Sequence, residues 1–212
     1  MNIIEFFARH QREILEATLE HIWLVDMSML LAVAIGVPLG IIVTRQPWLS
    51  KPILGGANIA ETIPSLALFG FLLPVPWLGE RADRLVIVAL TLYALLPIIR
   101  NTSTGIENIN AAVRQAARGM GMTDNQILWQ VELRLAMPTI LAGVRVATVL
   151  TIGIATIAAA VGAGGLGEFI FRGLAMVNNQ LILAGAIPAA ALALLADFIL
   201  SVLERRLRPA RQ

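Results

Sequence analysis

The sequence predicts an all-α polytopic membrane protein with five transmembrane helices, and three observations predict it. Of 212 residues, 58% are hydrophobic and only 14% charged, whereas soluble domains sit near about 45–50% apolar and about 25% charged. Five apolar runs, at 22–44, 53–74, 85–100, 139–162 and 180–203, approach or exceed the roughly 20 helical residues that cross a hydrocarbon core. Between the third and fourth runs lies one polar segment, about 101–138, with glycines and helix-start signals of its own.

Residues 1–20, MNIIEFFARHQREILEATLE, space apolar side chains near helical period among charges. This predicts an amphipathic helix at the membrane interface. Without a basic start and a continuous apolar stretch it is not a cleavable signal. The transmembrane domain then covers 21–204, and 205–212 forms a basic cytoplasmic tail. Pro38, Pro64, Pro97 and Pro188 fall inside four of the runs, where each kinks its helix and frees carbonyls for neighbours to satisfy. Trp23, Trp48 and Trp77 mark expected helix ends in the headgroup zone. With 101–138 placed in the cytoplasm, eleven Lys and Arg lie on that side and five on the other. The positive-inside rule then puts the N-terminus outside and the C-terminus inside.

Composition also excludes functions. The chain has no cysteine, and His10 and His21 are its only histidines, so neither a thiolate nor a metal cluster is expected. Its single lysine, Lys51, belongs to no GxxxxGK[ST] loop. A net charge of +2 gives no footprint for nucleic acid. GAGGLG at 162–167 fits GxGxxG but follows a membrane helix instead of a strand, with no acid about 20 residues on. Gly162, Gly164, Gly165 and Gly167 are therefore read as a flexible turn or an extracytoplasmic gate.

The polar segment reads as a helical hairpin. Thr104-Gly-Ile-Glu107 has the form of a capping box, and its helix is expected to reach Arg118. Gly119 or Gly121 then offers a left-handed stop. Thr123-Asp-Asn-Gln126 is a second capping box, opening a helix toward Pro138. Ile127, Leu128, Trp129 and Val131 are expected to be an exposed apolar surface in need of a cover. A hairpin packed only on itself is the alternative.

This segment resembles the EAA loop of ABC-importer permeases, whose pattern is EAA, three residues, Gly, nine residues, Ile, one residue, Leu-Pro. Here Gln115-Ala116-Ala117, Gly121, Val131 and Leu133-Arg134 keep that spacing. Gln115 stands for the usual Glu and Arg134 for the usual Pro. ETIPSLALFGFLLP at 61–74, YALLPIIRNTSTGI at 93–106, ILAGVR at 140–145 and GAGGLG are similar to osmoprotectant-uptake permeases, which move glycine betaine, choline, carnitine and related quaternary amines. The resemblance implies a type I, methionine-permease-like fold with a helix-turn-helix coupling loop. It also implies a non-catalytic subunit working with a cytoplasmic ATPase dimer, a second permease (identical or sister) and a separate extracytoplasmic binding protein. Coupling would fall to Gln115, Ala116, Ala117, Gly121, Trp129, Val131 and Leu133.

Asp26, Glu61 and Asp197 lie in or near the apolar runs, where ionisable groups usually face a cavity or a partner. Glu61, one turn before Pro64, is the candidate for contact with a passing cation, with an interhelical hydrogen bond as the alternative. Phe69 and Tyr93 offer aromatic faces to the same passage, or simply pack. No cofactor is expected. The residues leave open the same architecture carrying methionine, a sulfonate or another small solute, and a proton-driven carrier. Because no P-loop is present, the chain purified alone is expected to hydrolyse no ATP; robust turnover by a preparation free of other subunits contradicts a permease.

Overall fold

The computed structural model describes residues 3–207, and these form helices and the turns between them. The N-terminal amphipathic segment divides at His10. α1 covers Ile3–Arg9, and α2 runs without interruption from Gln11 to Arg45, so residues 11–20 are the opening turns of the first long helix. At about 1.5 Å per residue its 35 residues extend roughly 52 Å. That exceeds a hydrocarbon core of about 30 Å. Phe6, Ile14 and Ala17 are buried in one apolar cluster with Leu166, Phe169, Leu181 and Ala184, so the segment packs on protein as well as facing outward.

The second apolar run is two helices. α3 spans Pro47–Thr62 and α4 spans Ser65–Leu72, with a bend of 103° between them. The cause is local. A residue before proline is driven from the helical to the extended region, and Ile63 sits at φ −69°, ψ 128°. The Tyr93 hydroxyl donates to the Ile63 carbonyl that the break releases. Among the described residues four helices are long and apolar enough to cross a membrane, and a fifth span results if the bent pair counts as one.

α5, Ala82–Glu107, is the central helix. In its apolar window 61% is buried, against 6% for the peripheral α10, Asn179–Leu207. Its neighbours approach closely because they present glycine. A Cβ on Gly40 of α2 would lie 2.5 Å from Thr102 Cβ and 3.0 Å from the Ile99 carbonyl. One turn earlier, a Cβ on Gly36 would meet Ile98 at 2.8 Å. On the other side α8, Leu133–Ala155, brings Gly143 so near that its Cβ would be 2.8 Å from the Pro97 carbonyl. Small residues at such crossings let backbones touch where apolar burial alone gives no preference over lipid. Leu24, Phe69, Leu85, Leu90, Tyr93 and Ala147 fill the main core around them.

Thr104 does not start a helix. α5 continues through it to Glu107, since nothing in Asn101–Ile106 breaks the turn. The cap falls six residues later, where the Asn110 side chain accepts from the Ala112 N–H at 2.9 Å and opens α6, Ala111–Gly119. The Thr123 box forms as read, with the Thr123 and Gln126 side chains each holding the other's backbone N–H. It begins one continuous rod: α7 (Asp124–Gln126), a π-helical stretch (Ile127–Glu132), α8, and a 3-10 turn (Thr156–Val161). A glycine turn, α9 (Gly167–Ala175) and α10 complete the described chain.

Gly40→Leu is expected to force α2 off α5 and destabilise the protein by about 1–3 kcal/mol, as overpacking does. Gly153→Leu, where an added Cβ meets nothing within 4 Å, is the control. Thermal midpoints of the two variants in detergent check this; equal midpoints refute it.

Candidate functional site

The polar hairpin is held by backbone geometry at its tip and by charge at its base. At the tip Gly121 takes φ +81°, a left-handed conformation that side chains beyond glycine adopt at a cost. The Gly121 N–H bonds to Arg118 O at 2.9 Å and the Met122 N–H to Ala117 O at 3.2 Å, closing α6 as a Schellman turn. Nothing lies within 4 Å of where a Gly121 Cβ would project. Within the chain, the demand for glycine is therefore one of φ alone.

The outer surface differs from the expected one. Ile127 is buried, and Leu128 and Val131 are half-buried; of that quartet Trp129 alone is exposed, at 66%. The rest of the bare apolar surface comes from α6 and the turn, through Val113, Ala116 and the 76% exposed Met120. Gln115 is exposed beside them, while Ala117 and Leu133 point inward. Ala112, Ala116 and Met120, four apart, form a strip along one helical face.

At the base, Glu132 is fully buried and carries two ion pairs. One carboxylate oxygen accepts from Arg45 in the last turn of α2. The other accepts from Arg114 Nε of α6 at 2.7 Å. Arg114 also donates to the carbonyls of Ile106, at 2.5 Å, and Ile109, at 3.4 Å. These belong to the C-terminal turn of α5 and the link after it, where helix carbonyls lack intrahelical partners. The π-helical stretch makes the arrangement possible. In an α-helix residues three apart share a face, but the wider π turn separates them, so Trp129 looks outward while Glu132 looks in.

Of the passage candidates, Phe69 is fully enclosed and Tyr93 is buried with its hydroxyl bound to Ile63. Neither ring offers a face to an open passage within this subunit, because α4 folds back onto α5 at the Pro64 break and carries Phe69 into the core. Glu61 is half-buried in the last turn of α3. Near it α3 exposes Gly55, Gly56, Asn58 and Thr62 together with the apolar Ile59, a face with more small and polar residues than a spanning helix usually shows. Asp26 is exposed on α2. Asp197 and Glu204 of α10 each approach Arg145 of α8 at 3.6 Å.

The glycine turn is packed instead of loose. Gly162, Gly164 and Gly165 all have φ near +80°. The Gly165 N–H donates to Glu20 Oε2 at 3.1 Å, and a Cβ on Gly165 would press on the ring of His21 at 3.3 Å. His21, itself buried, donates from Nε2 to the Ile152 carbonyl at 3.1 Å. A Cβ on Gly167 would sit 1.9 Å from the Thr156 carbonyl.

Glu132, Arg45 and Arg114 escape a reading by motif, since they are distant in sequence. A signal exists nonetheless. Glu132 leads the spacing 132, 136, 140, 143, 147, which is helical, and every later member is buried. An acid on the core face of an apolar helix requires a cationic partner.

The known proteins bear on this geometry. Residues 36–209 match the family model described as binding-protein-dependent transport system inner membrane component. The choline transport system permease protein OpuBB of Bacillus subtilis is 41% identical over 209 residues, covering 99% of this chain and 95% of that protein. The osmoprotectant import permease protein OsmW of Salmonella typhimurium is 40% identical over 211 residues, covering 99% and 98%. The carnitine transport permease protein OpuCB of Listeria monocytogenes is 40% identical over 207 residues, covering 98% and 94%. Among solved structures, an inward-facing crystal form of the MetNI methionine ABC transporter superposes with a TM-score of 0.84 at 24% identity, over 92% of this chain and 96% of that one. An amino acid ABC transporter crystallised with histidines gives 0.78 at 15% identity, over 97% and 99%. The fold is that of type I ABC-importer permeases, and the chain belongs to the family of binding-protein-dependent transport system inner membrane components, as a multi-pass permease subunit of the inner membrane.

Proposed function

We propose that this chain is the transmembrane subunit of an ATP-driven importer for osmoprotectants of the quaternary-amine class: glycine betaine, carnitine or choline. The observation that carries this is near-full-length identity of about 40% to permeases named for those solutes. The energy source is a cytoplasmic ATPase dimer seated on the hairpin, whose exposed strip of Val113, Ala116, Met120 and Trp129 supplies the apolar, small-residue surface that a groove accepts. Gln115 lies on that strip's border and contributes a hydrogen bond where relatives of the EAA pattern place a carboxylate.

A second permease, identical or sister, completes the passage. The small and polar outer face of α3, ending in Glu61, suits a wall shared between two subunits. The solute arrives from a separate binding protein on the outer side, where the packed Gly162–Gly167 turn caps the span formed by α8. The N-terminus lies outside and the C-terminus inside, consistent with Arg205 and Arg206 in the last turn of α10. Alternating access then follows from rocking of the helices about a central site.

The test is reconstitution with the ATPase and binding protein in liposomes. Radiolabelled glycine betaine should accumulate only with ATP on the hairpin side, and excess choline or carnitine should compete where methionine and sulfonates do not. Competition by methionine alone reverses the cargo assignment.

Orientation has its own check, which the absence of native cysteine makes direct. A cysteine at Val177, 88% exposed after α9, should react with an impermeant thiol reagent outside intact cells. One at Met120 should stay protected. The opposite pattern inverts the topology.

Gly121→Val is expected to abolish uptake and loosen ATPase co-purification with insertion intact, because forcing a β-branched residue to φ +81° costs on the order of 1–3 kcal/mol. Gln115→Glu should transport at least as well as the parent. Normal uptake and ATPase retention by Gly121→Val would show that the hairpin is not the coupling element.

A further inference from the structure

A hairpin that docks an ATPase must pass its displacement to the spanning helices, and the contacts available for this are few. Apart from chain continuity into α8, the hairpin's charged attachment to the helix ends among the described residues is the carboxylate of Glu132. It is shared between Arg45 on α2 and Arg114 on α6, with Arg114 reaching on to Ile106 and Ile109 at the end of α5. Four elements meet at one buried acid: both arms of the hairpin and the adjacent ends of α2 and α5. The Glu132 side chain is 1% exposed, Arg114 27% and Arg45 39%. The shared acid is therefore dry, while each arginine keeps one side in water.

This distribution matters physically. A desolvated carboxylate left with no partner is an uncompensated buried charge, and losing either arginine leaves one carboxylate oxygen without its charge-assisted bond, so the three groups resist separation far more than surface pairs do. The sharing also fixes direction: each carboxylate oxygen accepts from a different guanidinium, and the planar Arg114 fork directs its remaining donors to the Ile106 and Ile109 carbonyls, which leaves it few orientations. A contact that is both costly to open and directional transmits force. The apolar contacts of the same region, Ile106, Leu133, Ala136 and Ile140, carry no such directional bond.

We infer that Glu132 is a positioning residue: with Arg45 and Arg114 it makes a rigid joint that moves the hairpin and the cytoplasmic ends of α2 and α5 as one body. The inference rests on the proposed coupling to an ATPase and adds the route by which motion leaves the hairpin. It assigns no role to these residues in touching solute, nucleotide or the ATPase.

Arg45→Gln isolates the joint, because Arg45 is the most exposed member and its loss leaves the Glu132–Arg114 pair in place. Spin labels are placed on cysteines at Asn125 in the hairpin and Ile35 on α2, in the assembled complex. Their separation should be the same without nucleotide and with trapped ATP in the parent, and should broaden or shift with nucleotide in Arg45→Gln. Arg45→Lys, which keeps a point charge without the fork, should fall between. Alongside, Arg45→Gln should keep the ATPase bound and hydrolysing while uptake of glycine betaine per ATP falls about tenfold, the size of an ordinary coupling free energy. A nucleotide-dependent separation in the parent, or identical behaviour of parent and Arg45→Gln, overturns the joint. So does a parallel loss of hydrolysis and uptake, which would mean the cluster only shapes the docking surface. Failure of the parent to accumulate any quaternary amine sinks the cargo reading instead, and the spin-label separation still decides the joint.

Discussion

The close approach of α2 and α8 to α5 is the constraint on which the rest of the structure depends. In lipid, apolar side chains gain little by leaving their surroundings for one another, so helix association needs dense van der Waals contact. Gly36 and Gly40 on one side and Gly143 on the other supply it by removing the side chain where the axes cross. With α5 fixed, its middle and its C-terminal end acquire separate tasks. At its middle the Tyr93 hydroxyl holds the broken span at Ile63. At its end, the carbonyls of the last turn and the following link receive Arg114. Both are polar contacts that a loosely packed trio could not keep in register.

The break between α3 and α4 shows how a single local rule reorganises a whole layer. Ile63 is extended because Pro64 follows it, and the freed carbonyl finds a hydroxyl instead of lipid, as backbone in the hydrocarbon must. The bend then turns Phe69 into the core and leaves Glu61, Asn58 and Thr62 on the outer side of the span. A straight helix over 53–74 would distribute these residues around one cylinder. The kink places Phe69 inward, while Leu66 and Phe71 of the same helix stay exposed.

Much of this was legible in the sequence, because it follows from local chemistry. Apolar length, the Thr123 capping box and the left-handed glycine at 121 are properties of neighbouring residues. What was not legible depends on partners far along the chain. Thr104 has the composition of an N-cap, yet α5 is already running when it reaches that point, and a cap signal inside a stable helix has no effect. Ile127 and Val131 look exposed by their position in a polar segment, but the π-helical stretch turns the register and only Trp129 remains outside. Phe69 lies eight residues after Glu61 and Tyr93 on a later helix, and neither position reveals that the bend carries Phe69 inward while Tyr93 is buried on α5 with its hydroxyl on Ile63. The Glu132 cluster spans residues 45 to 132 and shows itself only as an acid on a buried helical face.

The hairpin therefore has two faces with different physics. Outside, Ala116, Val113 and Met120 offer a small and adaptable surface, and the exchange of a carboxylate for Gln115 falls beside it. Inside, Arg114, the residue immediately before it, bonds to three acceptors at fixed angles. One helical step of about 100° separates the two roles. On the proposed coupling, a change on the outer face alters what the hairpin binds, whereas a change on the inner face alters what binding can move. Because the carboxylate missing at 115 was never available to the inner cluster, its absence leaves the joint intact. On the proposed coupling, the departure from the family pattern thus bears on the strength of docking and leaves transmission as it was.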